Sequence, residues 1–233
     1  MSTGGRTGLP MANAPRPRNR TPVLDVSGEA AIAAVSMLVA LVAVVLLGPL
    51  LVFLVLLVRA TSPGPGFYRQ ARLGRGKRTF TLLKLRTMYV NNDDRIHREY
   101  VTRQLTGEQP AAAGRRGLFK LERDPRVTPV GRWLRRTSLD ELPQLLNVLR
   151  GDMSLVGPRP VLAWEAEMFS PEHQRRFDVK PGITGLWQVS GRSRLTMQQA
   201  LDLDAEYVRR RSVAFDLLIL MRTVPALFSD GAA

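Results

Sequence analysis

The chain has 233 residues, with 34 lysines and arginines against 20 aspartates and glutamates, and carries a formal net charge of +14. It contains no cysteine and two histidines, His97 and His173, which excludes disulfide bonds and thiolate metal sites and argues against a multi-histidine metal site. With so few thiol and imidazole groups, any chemistry must rest on carboxylates, hydroxyl groups and cations. The net charge indicates an anionic partner, such as nucleic acid, acidic lipid or a phosphorylated substrate.

The N-terminal quarter of the chain divides into a polar tail and a long apolar segment. Residues 1–28 are rich in proline, arginine and glycine and lack hydrophobic periodicity, which predicts a disordered basic tail. From Ala30 to Val58 the chain has no charged residue. As a straight helix this segment is about 44 Å long, more than the roughly 30 Å of a bilayer's hydrocarbon core. It predicts a membrane element, and it is too long for the apolar part of a signal peptide.

Gly48 and Pro49 lie about two thirds of the way along the membrane segment. Proline removes a helical hydrogen bond and clashes with the preceding turn, so a kink or break is expected there. Because Arg20 precedes the segment and Arg59 follows it, the positive-inside rule gives a spanning helix no clear orientation. Two alternatives follow: a re-entrant helical hairpin over residues 29–59, with both ends in the cytoplasm, or a kinked helix that spans the membrane.

A β-hairpin is predicted directly after the membrane segment. Two runs with strand character, Phe67–Arg72 and Arg78–Met88, flank the turn residues Gly74–Lys77. The rest of the chain is predicted to be mainly helical, so residues 60–229 are expected to form one α/β domain after the membrane segment.

Helices are also predicted directly after the hairpin and at the C-terminal end of this domain. Residues 91–118 predict a helix followed by a loop around 111–117. Two final helices are predicted, over about Thr196–Arg211 and Ser212–Phe228. The second carries apolar residues that suit either an interfacial amphipathic helix or core packing, namely Leu217, Leu218, Leu220, Met221, Val224, Leu227 and Phe228.

An acidic pair, Asp140 and Glu141, lies in a segment that predicts the start of a helix. Ser138 and Glu141 have capping-box spacing, although Pro143 in the first turn suits Asp140 as the cap equally well. In a structural interpretation the two carboxylates complement the helix dipole, worth about 0.3–1 kcal/mol each. In a chemical interpretation, an ionised Asp140 is a nucleophile toward phosphorus and Glu141 helps to hold Mg²⁺.

Arginines surround this acidic pair in the sequence. Arg135 lies just upstream, and Arg159 lies downstream between Pro158 and Pro160. Their planar guanidinium groups suit bidentate pairing with the oxygens of a pyrophosphate. A solvated basic face, or one resting on anionic lipid, is the preferred interpretation for four other arginines: Arg126, Arg132, Arg175 and Arg176.

The segment Lys180–Arg192 (KPGITGLWQVSGR) combines three glycines, a tryptophan and two cations. Such a loop can bring its backbone close to a phosphate or nucleobase, with Arg192 as a candidate contact, but it is also a plausible structural turn. No lysine motif of the P-loop type follows a strand, so a P-loop is not predicted.

Three long blocks resemble the bacterial sugar transferases, which are monotopic phosphoglycosyl transferases acting on polyprenyl phosphate. In the order that the family shows, they are SPGPGFYRQARLGRGKRTFTLLKLRTM, DPRVTPVGRWLRRTSLDELPQLLNVLRGDMSLVGPRP and KPGITGLWQVSGRS. The resemblance extends from about residue 29 to residue 228. Ordered blocks of this length are far more specific than a short motif.

The resemblance implies a role for individual residues. Asp140 is expected to attack the sugar-bearing phosphate of a nucleotide sugar, and Glu141 to help bind Mg²⁺. Arg159, within the Pro158–Pro160 segment, is expected to contact the nucleotide sugar. Phosphate or carboxylate contacts are expected for Lys84, Arg86 and Arg135.

The resemblance also implies a location in the bacterial inner membrane, with the active site on the cytoplasmic face. The family's re-entrant helix usually breaks at a Ser-Pro pair, and Gly48 and Pro49 stand in that place here. Without the serine hydroxyl, the break must be stabilised differently. Because the catalytic unit follows only a short tail, the chain resembles the minimal catalytic form of the family.

A second class of function is a membrane-tethered module that binds nucleic acid or anionic lipid. The net charge of +14 favours it, but the sequence has no recognised nucleic-acid-binding motif and few aromatic residues for base stacking. We therefore expect nucleotide sugar, polyprenyl phosphate and the bilayer as partners and no nucleic acid. The motifs leave the sugar, the nucleotide and any homo-oligomer open.

Overall fold

A computed structural model of the chain describes residues 26–90, 93, 95–107, 124–191 and 194–229. The predicted basic tail up to residue 25, the predicted loop around 111–117 and the candidate contact Arg192 lie outside the described residues. Two β pairs and eight α-helices form the described part, so the prediction of a mainly helical α/β protein is confirmed.

Helix α1, Val26–Thr61, contains the whole apolar segment. It is the one helix in the described part of the chain that is long and apolar enough to cross a membrane. The helix runs through Gly48 and Pro49 without interruption, so of the two predicted outcomes, a kink or a break, the break does not occur. Proline removes one backbone donor, and the helical hydrogen bonds on either side of it are sufficient to continue the helix.

The predicted β-hairpin is confirmed. Strand β1, Phe67–Leu73, pairs antiparallel with β2, Thr79–Leu85, and this register places Tyr68 opposite Lys84. In the connecting turn Gly76 has a φ of 62°, a left-handed conformation that glycine adopts without steric cost. Strand β2 ends at Leu85, three residues before the predicted end.

Seven further helices complete the domain. They are α2 Arg95–Thr106, α3 Pro129–Thr137, α4 Gln144–Leu149, α5 Ala163–Glu167, α6 Leu186–Ser190, α7 Met197–Arg210 and α8 Val213–Ser229. The two predicted C-terminal helices are therefore confirmed as α7 and α8. Side chains of α8 at Leu217, Met221 and Val224 are exposed, whereas those of Leu227 and Phe228 lie outside the described residues.

A short parallel pair lies at the centre of the fold. Strand β3, Ser154–Val156, pairs with β4, Gly182–Thr184. The two backbones approach so closely that a Cβ atom at Gly182 would overlap the backbone nitrogen of Gly157. Most of the predicted glycine loop is therefore neither an open loop nor a turn, but a buried strand followed by α6.

The apolar core is divided among three clusters. The largest surrounds β3 and includes Ala40 of α1, Val148 of α4 and Ile219 of α8. A second cluster joins α2, α5 and α7. In the third, Leu54 and Val58 near the end of α1 pack with residues of β2 and α3. Both halves of α1 are thus attached to the same domain, while many of its central apolar side chains are exposed.

Candidate active site

A cavity of about 890 Å³ opens between the end of α1, the β-hairpin and the turn that carries the acidic pair. Eight of its described lining residues are arginine or lysine, and four are carboxylates: Asp124, Asp140, Glu141 and Glu165. The excess of positive charge makes the cavity suitable for a ligand with several negative charges, such as a nucleoside diphosphate.

Six of the predicted site residues line this one cavity, and Pro158 and Pro160 are buried behind it. The six are Lys84, Arg86, Arg135, Asp140, Glu141 and Arg159. They come from β2, α3, the turn after α3 and the segment after β3. The fold thus brings together residues that are far apart in the sequence.

The acidic pair lies in a tight turn between two helices. Helix α3 ends at Ser138, which has a left-handed φ of 59°, and a 3₁₀ turn spans Leu139–Glu141 before α4 begins at Gln144. The predicted capping box is therefore wrong, since the Ser138 side chain makes no cap hydrogen bond. A serine that closes one helix in a left-handed conformation lacks the extended backbone that an N-cap requires.

Glu141 is held by two cations. Its Oε1 lies 2.7 Å from Lys84 Nζ and 3.5 Å from a guanidinium nitrogen of Arg159. All three side chains are about one fifth exposed, so they face the cavity. Glu141 is therefore the point at which the hairpin and the Pro-Arg-Pro segment meet.

Asp140 is buried, with 8% of its surface exposed, at the wall of the cavity. Arg135 is its electrostatic neighbour: burial lowers the pKa of the Arg135 guanidinium, and the negative charge of Asp140 opposes that effect. Arg135 is oriented by donating a hydrogen bond of 2.8 Å from Nε to Thr87 Oγ1. A positive charge near a carboxylate is the setting in which an aspartate can serve as a nucleophile.

Arg86 connects the end of α1 to the cavity. One terminal nitrogen, Nη2, donates to the Ser62 carbonyl at 2.6 Å and to Ser62 Oγ at 2.8 Å. Its Nε and Nη1 are buried and have no hydrogen-bond partner among the described residues. Gly64, with a φ of 112°, passes so close to Arg86 that a side chain there would overlap the guanidinium group.

Asn147 of α4 is a supporting residue that the sequence analysis did not identify. It is fully buried, its Oδ1 accepts from the Leu83 amide at 3.0 Å, and its Nδ2 donates to the Thr81 carbonyl at 2.7 Å. Asn147 thereby fixes β2, which carries Lys84, against the helix that follows Glu141. A lone asparagine within the leucine-rich run LLNVL was the signal available in the sequence.

Two of the four arginines that were predicted to be solvated are not. Arg126 lines the cavity and binds both carboxylate oxygens of Asp124 at 2.9 and 2.8 Å. Arg176 is buried in an ion pair with Asp204. Burying a guanidinium requires a partner with an opposite charge. Arg176 has such a partner on α7, whereas the partner of Arg126 lies two positions away in the chain. Arg132 is exposed and Arg175 is half-buried.

The acidic pair is also the place where a metal ion would fit. No group of three or more metal-ligating side chains occurs among the residues that the structure describes. Mg²⁺, however, is commonly held by one or two carboxylates together with substrate phosphates, and Asp140 and Glu141 offer two adjacent carboxylates at the cavity wall. Because Lys84 already contacts Glu141, the ion would share that carboxylate with it.

Comparison with known proteins identifies a family that the chain matches. The sequence model of the family described as "Bacterial sugar transferase" matches residues 29–230. The chain is 42% identical over 191 residues to the exopolysaccharide production protein ExoY of Sinorhizobium fredii, covering 82% of each chain. It is 42% identical over 196 residues to a UDP-glucose:undecaprenyl-phosphate glucose-1-phosphate transferase of Caulobacter vibrioides, covering 81% of this chain and 66% of that protein.

Some relatives are much longer than this chain. An undecaprenyl-phosphate galactose phosphotransferase of Salmonella typhimurium is 40% identical over 190 residues, which are 81% of this chain and 38% of that protein. The residues that the family model matches include the hairpin, the acidic turn and the Pro-Arg-Pro segment. The chain therefore belongs to the bacterial sugar transferase family.

Proposed function

We propose that this sugar transferase moves a sugar 1-phosphate from a UDP-sugar to undecaprenyl phosphate and releases UMP. The observation that carries the proposal is the buried carboxylate of Asp140 beside Glu141, Lys84, Arg135 and Arg159 in one cationic cavity. The relatives from Caulobacter and Salmonella, whose names specify undecaprenyl phosphate as the acceptor, support this choice of substrates. The reaction would be the first membrane step in making an exopolysaccharide, O-antigen or other glycoconjugate.

The reaction is proposed to proceed through a covalent intermediate on Asp140. An Oδ atom of Asp140 attacks the phosphorus that bears the sugar, and an Oδ–P bond forms. The bond from that phosphorus to the bridging oxygen breaks, so UMP leaves with the oxygen and its electron pair. A phosphate oxygen of undecaprenyl phosphate then attacks the same phosphorus, which regenerates the Asp140 carboxylate and yields undecaprenyl diphosphate sugar.

The cations of the cavity have separate tasks in this scheme. Lys84 and Arg159, which both contact Glu141, lie where they can neutralise the pyrophosphate as negative charge moves onto the leaving UMP. Arg135, whose charge interacts with that of Asp140, would orient the nucleophile and screen its charge from the phosphates. Glu141 would hold Mg²⁺ together with the substrate phosphates, and the ion supplies further charge neutralisation when bound.

The membrane helix is proposed to be re-entrant, with both ends on the cytoplasmic side of the inner membrane. Near the start of α1, Glu29 forms ion pairs with Arg75 and Arg211. Near its end, Val58 packs in one cluster with Leu85. The contact of both helix ends with the same polar domain supports their placement on one side of the bilayer. The exposed central side chains would then face lipid.

A substrate screen tests the proposal directly. The protein in nanodiscs is incubated with undecaprenyl phosphate and each of a panel of nucleotide sugars, and released nucleoside monophosphate is measured. The proposal expects release with at least one UDP-sugar that depends on the lipid acceptor. Absence of release with every donor, together with steeply salt-dependent binding of DNA, would instead favour the nucleic-acid-binding alternative.

A further inference from the structure

The Pro158–Pro160 segment has an unusual hydrogen-bonding requirement. Proline has no amide hydrogen, so the backbone of this segment offers carbonyl acceptors but only one amide donor, that of Arg159. The segment must therefore be held mainly by donors that reach its carbonyls. The amide of Gly182, at the start of β4, donates to the Pro158 carbonyl at 2.9 Å and anchors the first residue.

The Arg159 carbonyl is held by a buried side chain. Arg176 donates to it from Nη2 at 2.6 Å, and the same nitrogen lies 2.9 Å from Asp204 Oδ2 of α7. The side chains of Arg176 and Asp204 are each 3% exposed. Neither residue is among the described residues that line the cavity, so the pair lies behind the site and not within it.

The Pro160 carbonyl faces a second buried guanidinium. Arg72 Nη1 lies 3.4 Å from this oxygen and 3.7 Å from the carboxylate of Glu165, which is itself almost fully buried. Arg72 differs from Arg176 because it also lines the cavity, where it is available to a substrate. Arg176 is therefore the residue whose contacts are directed to the backbone of the segment.

We propose that Arg176, neutralised by Asp204, is a positioning residue that fixes the Arg159 backbone so that the Arg159 guanidinium faces Glu141. The connection runs from Asp204 through Arg176 to the Arg159 carbonyl, and from the Arg159 side chain to Glu141 Oε1 at 3.5 Å. This inference rests on the proposed function, because it assigns Arg159 to the donor pyrophosphate.

Physical chemistry favours positioning over stabilisation for this pair. A buried ion pair contributes little net stability, since the cost of removing both charges from water offsets most of their attraction. Burial is strong enough here to raise the pKa of Asp204 to about 6 in spite of Arg176, and Asp204 Oδ1 has no hydrogen-bond partner among the described residues. The shortest hydrogen bond of this pair is the one from Arg176 to the Arg159 carbonyl, at 2.6 Å.

A double-mutant cycle with Arg159 tests the proposal. Arg176→Met combined with Asp204→Asn removes the donor without leaving a buried charge. Because small displacements of positioning groups are costly, this variant is expected to lower kcat/KM for the nucleotide sugar about tenfold or more. In an Arg159→Ala background the same two substitutions should change kcat/KM less than about twofold. Equal losses in the two backgrounds would overturn the proposal, because the pair would then act independently of Arg159.

A matched control breaks another ion pair between the same two parts of the chain. Glu172→Gln with Arg209→Met removes an exposed pair, 3.2 Å apart, that also joins α7 to the segment around Arg176. This control is expected to leave kcat/KM near the wild-type value. If it lowers activity as much as the buried pair does, general attachment of α7 explains the effect and the proposal fails.

Hydrogen exchange supplies a readout that needs no substrate. Peptides containing residues 157–163 should exchange faster in the Arg176→Met, Asp204→Asn variant than in the wild type and in the control pair. Unchanged exchange in these peptides would contradict the proposal that Arg176 fixes the Arg159 backbone. If the variant does not fold, Arg176→Lys is used in its place. Lysine keeps a positive charge for Asp204 but lacks the planar guanidinium group, so the same local increase in hydrogen exchange is expected. Turnover by the wild type separately decides the proposed function.

Discussion

Lys84 Nζ lies 2.7 Å from Glu141 Oε1, although the two residues are 57 positions apart in the chain. This contact joins the β-hairpin to the turn that carries Asp140. Asn147 fixes the same two parts of the fold from behind, through the backbone of β2. The position of the acidic pair relative to the cations is therefore set by the packing of the hairpin on α4.

Removing the charge of Lys84 should impair transfer. Lys84→Met is expected to lower kcat/KM for the nucleotide sugar by about 10- to 1,000-fold, since the ammonium group faces the site where pyrophosphate charge develops. Lys77→Met, in the exposed turn of the same hairpin, is the control and should leave kcat/KM nearly unchanged. Near-normal turnover by Lys84→Met would show that this lysine only pairs with Glu141.

Asn147 should contribute to both stability and activity. Asn147→Ala leaves the buried Leu83 amide and Thr81 carbonyl without their partner, which is expected to cost about 1–3 kcal/mol of unfolding free energy. Asn147→Asp keeps the acceptor for Leu83 but places a buried carboxylate against the Thr81 carbonyl and the Asp152 carboxylate, so a larger loss in thermal stability is expected. Equal melting temperatures for wild type and Asn147→Ala would contradict the role given to this side chain.

Asp216 should make stability depend on pH. Burial is the main cause that raises its pKa to about 6, against hydrogen bonding from Tyr207 and the charge of Arg211, while Glu29 raises it further. Because this value lies above that of an unfolded aspartate, roughly 4, the folded state binds the proton more tightly. Its contribution to stability is therefore most favourable at low pH and is lost as pH rises through about 6.

Thermal unfolding between pH 4.5 and 8 checks this sign. The melting temperature of Asp216→Asn should rise relative to that of the wild type as pH increases. Asparagine still accepts a hydrogen bond from Tyr207 but never carries a charge. Asp178→Asn, at an exposed position, is the control and should follow the wild-type profile. A constant difference between Asp216→Asn and wild type across this range would contradict the assignment.

The re-entrant topology predicts that both ends of the chain are cytoplasmic. Because the chain has no cysteine, Ser2→Cys and Ser229→Cys each introduce a single reactive site. Both should resist an impermeant maleimide in intact cells and react in inverted membrane vesicles. Labelling of one site from outside and the other from inside would establish a spanning helix.

The sequence was sufficient to predict elements that depend on local chemistry. The hairpin followed from turn residues between two apolar runs, and α7 and α8 followed from helical periodicity. The closure of α3 by Ser138 was not predicted, because the sequence from Ser138 to Glu141 also fits the start of a helix. In the structure Ser138 instead adopts a left-handed conformation after the last residue of α3. The sequence also left open whether α1 breaks or continues at Pro49, since proline can kink a helix without ending it.

The candidate site was predictable only in part. Residue types and family resemblance identified Asp140, Glu141 and Arg159, but their common cavity depends on contacts across the whole domain. The buried ion pair of Arg176 could not be predicted, because only the tertiary fold identifies Asp204 as its partner. The partner of Arg126, Asp124, is a neighbour in the sequence, but the sequence did not reveal that this pair lines the cavity. A charged residue in a sequence is solvated by default, and its burial becomes favourable only with a partner of opposite charge.

Trapping of the intermediate on Asp140 tests the central claim most directly. The protein is incubated without lipid acceptor, using the nucleotide sugar that supports turnover, labelled in its sugar, and is then quenched and analysed by peptide mass spectrometry. The account predicts a phosphosugar adduct on the peptide containing Asp140, its removal by added undecaprenyl phosphate, and its absence in Asp140→Asn. Wild-type turnover without any adduct on rapid quenching, or near-normal turnover by Asp140→Asn, would contradict it and favour direct transfer in one step.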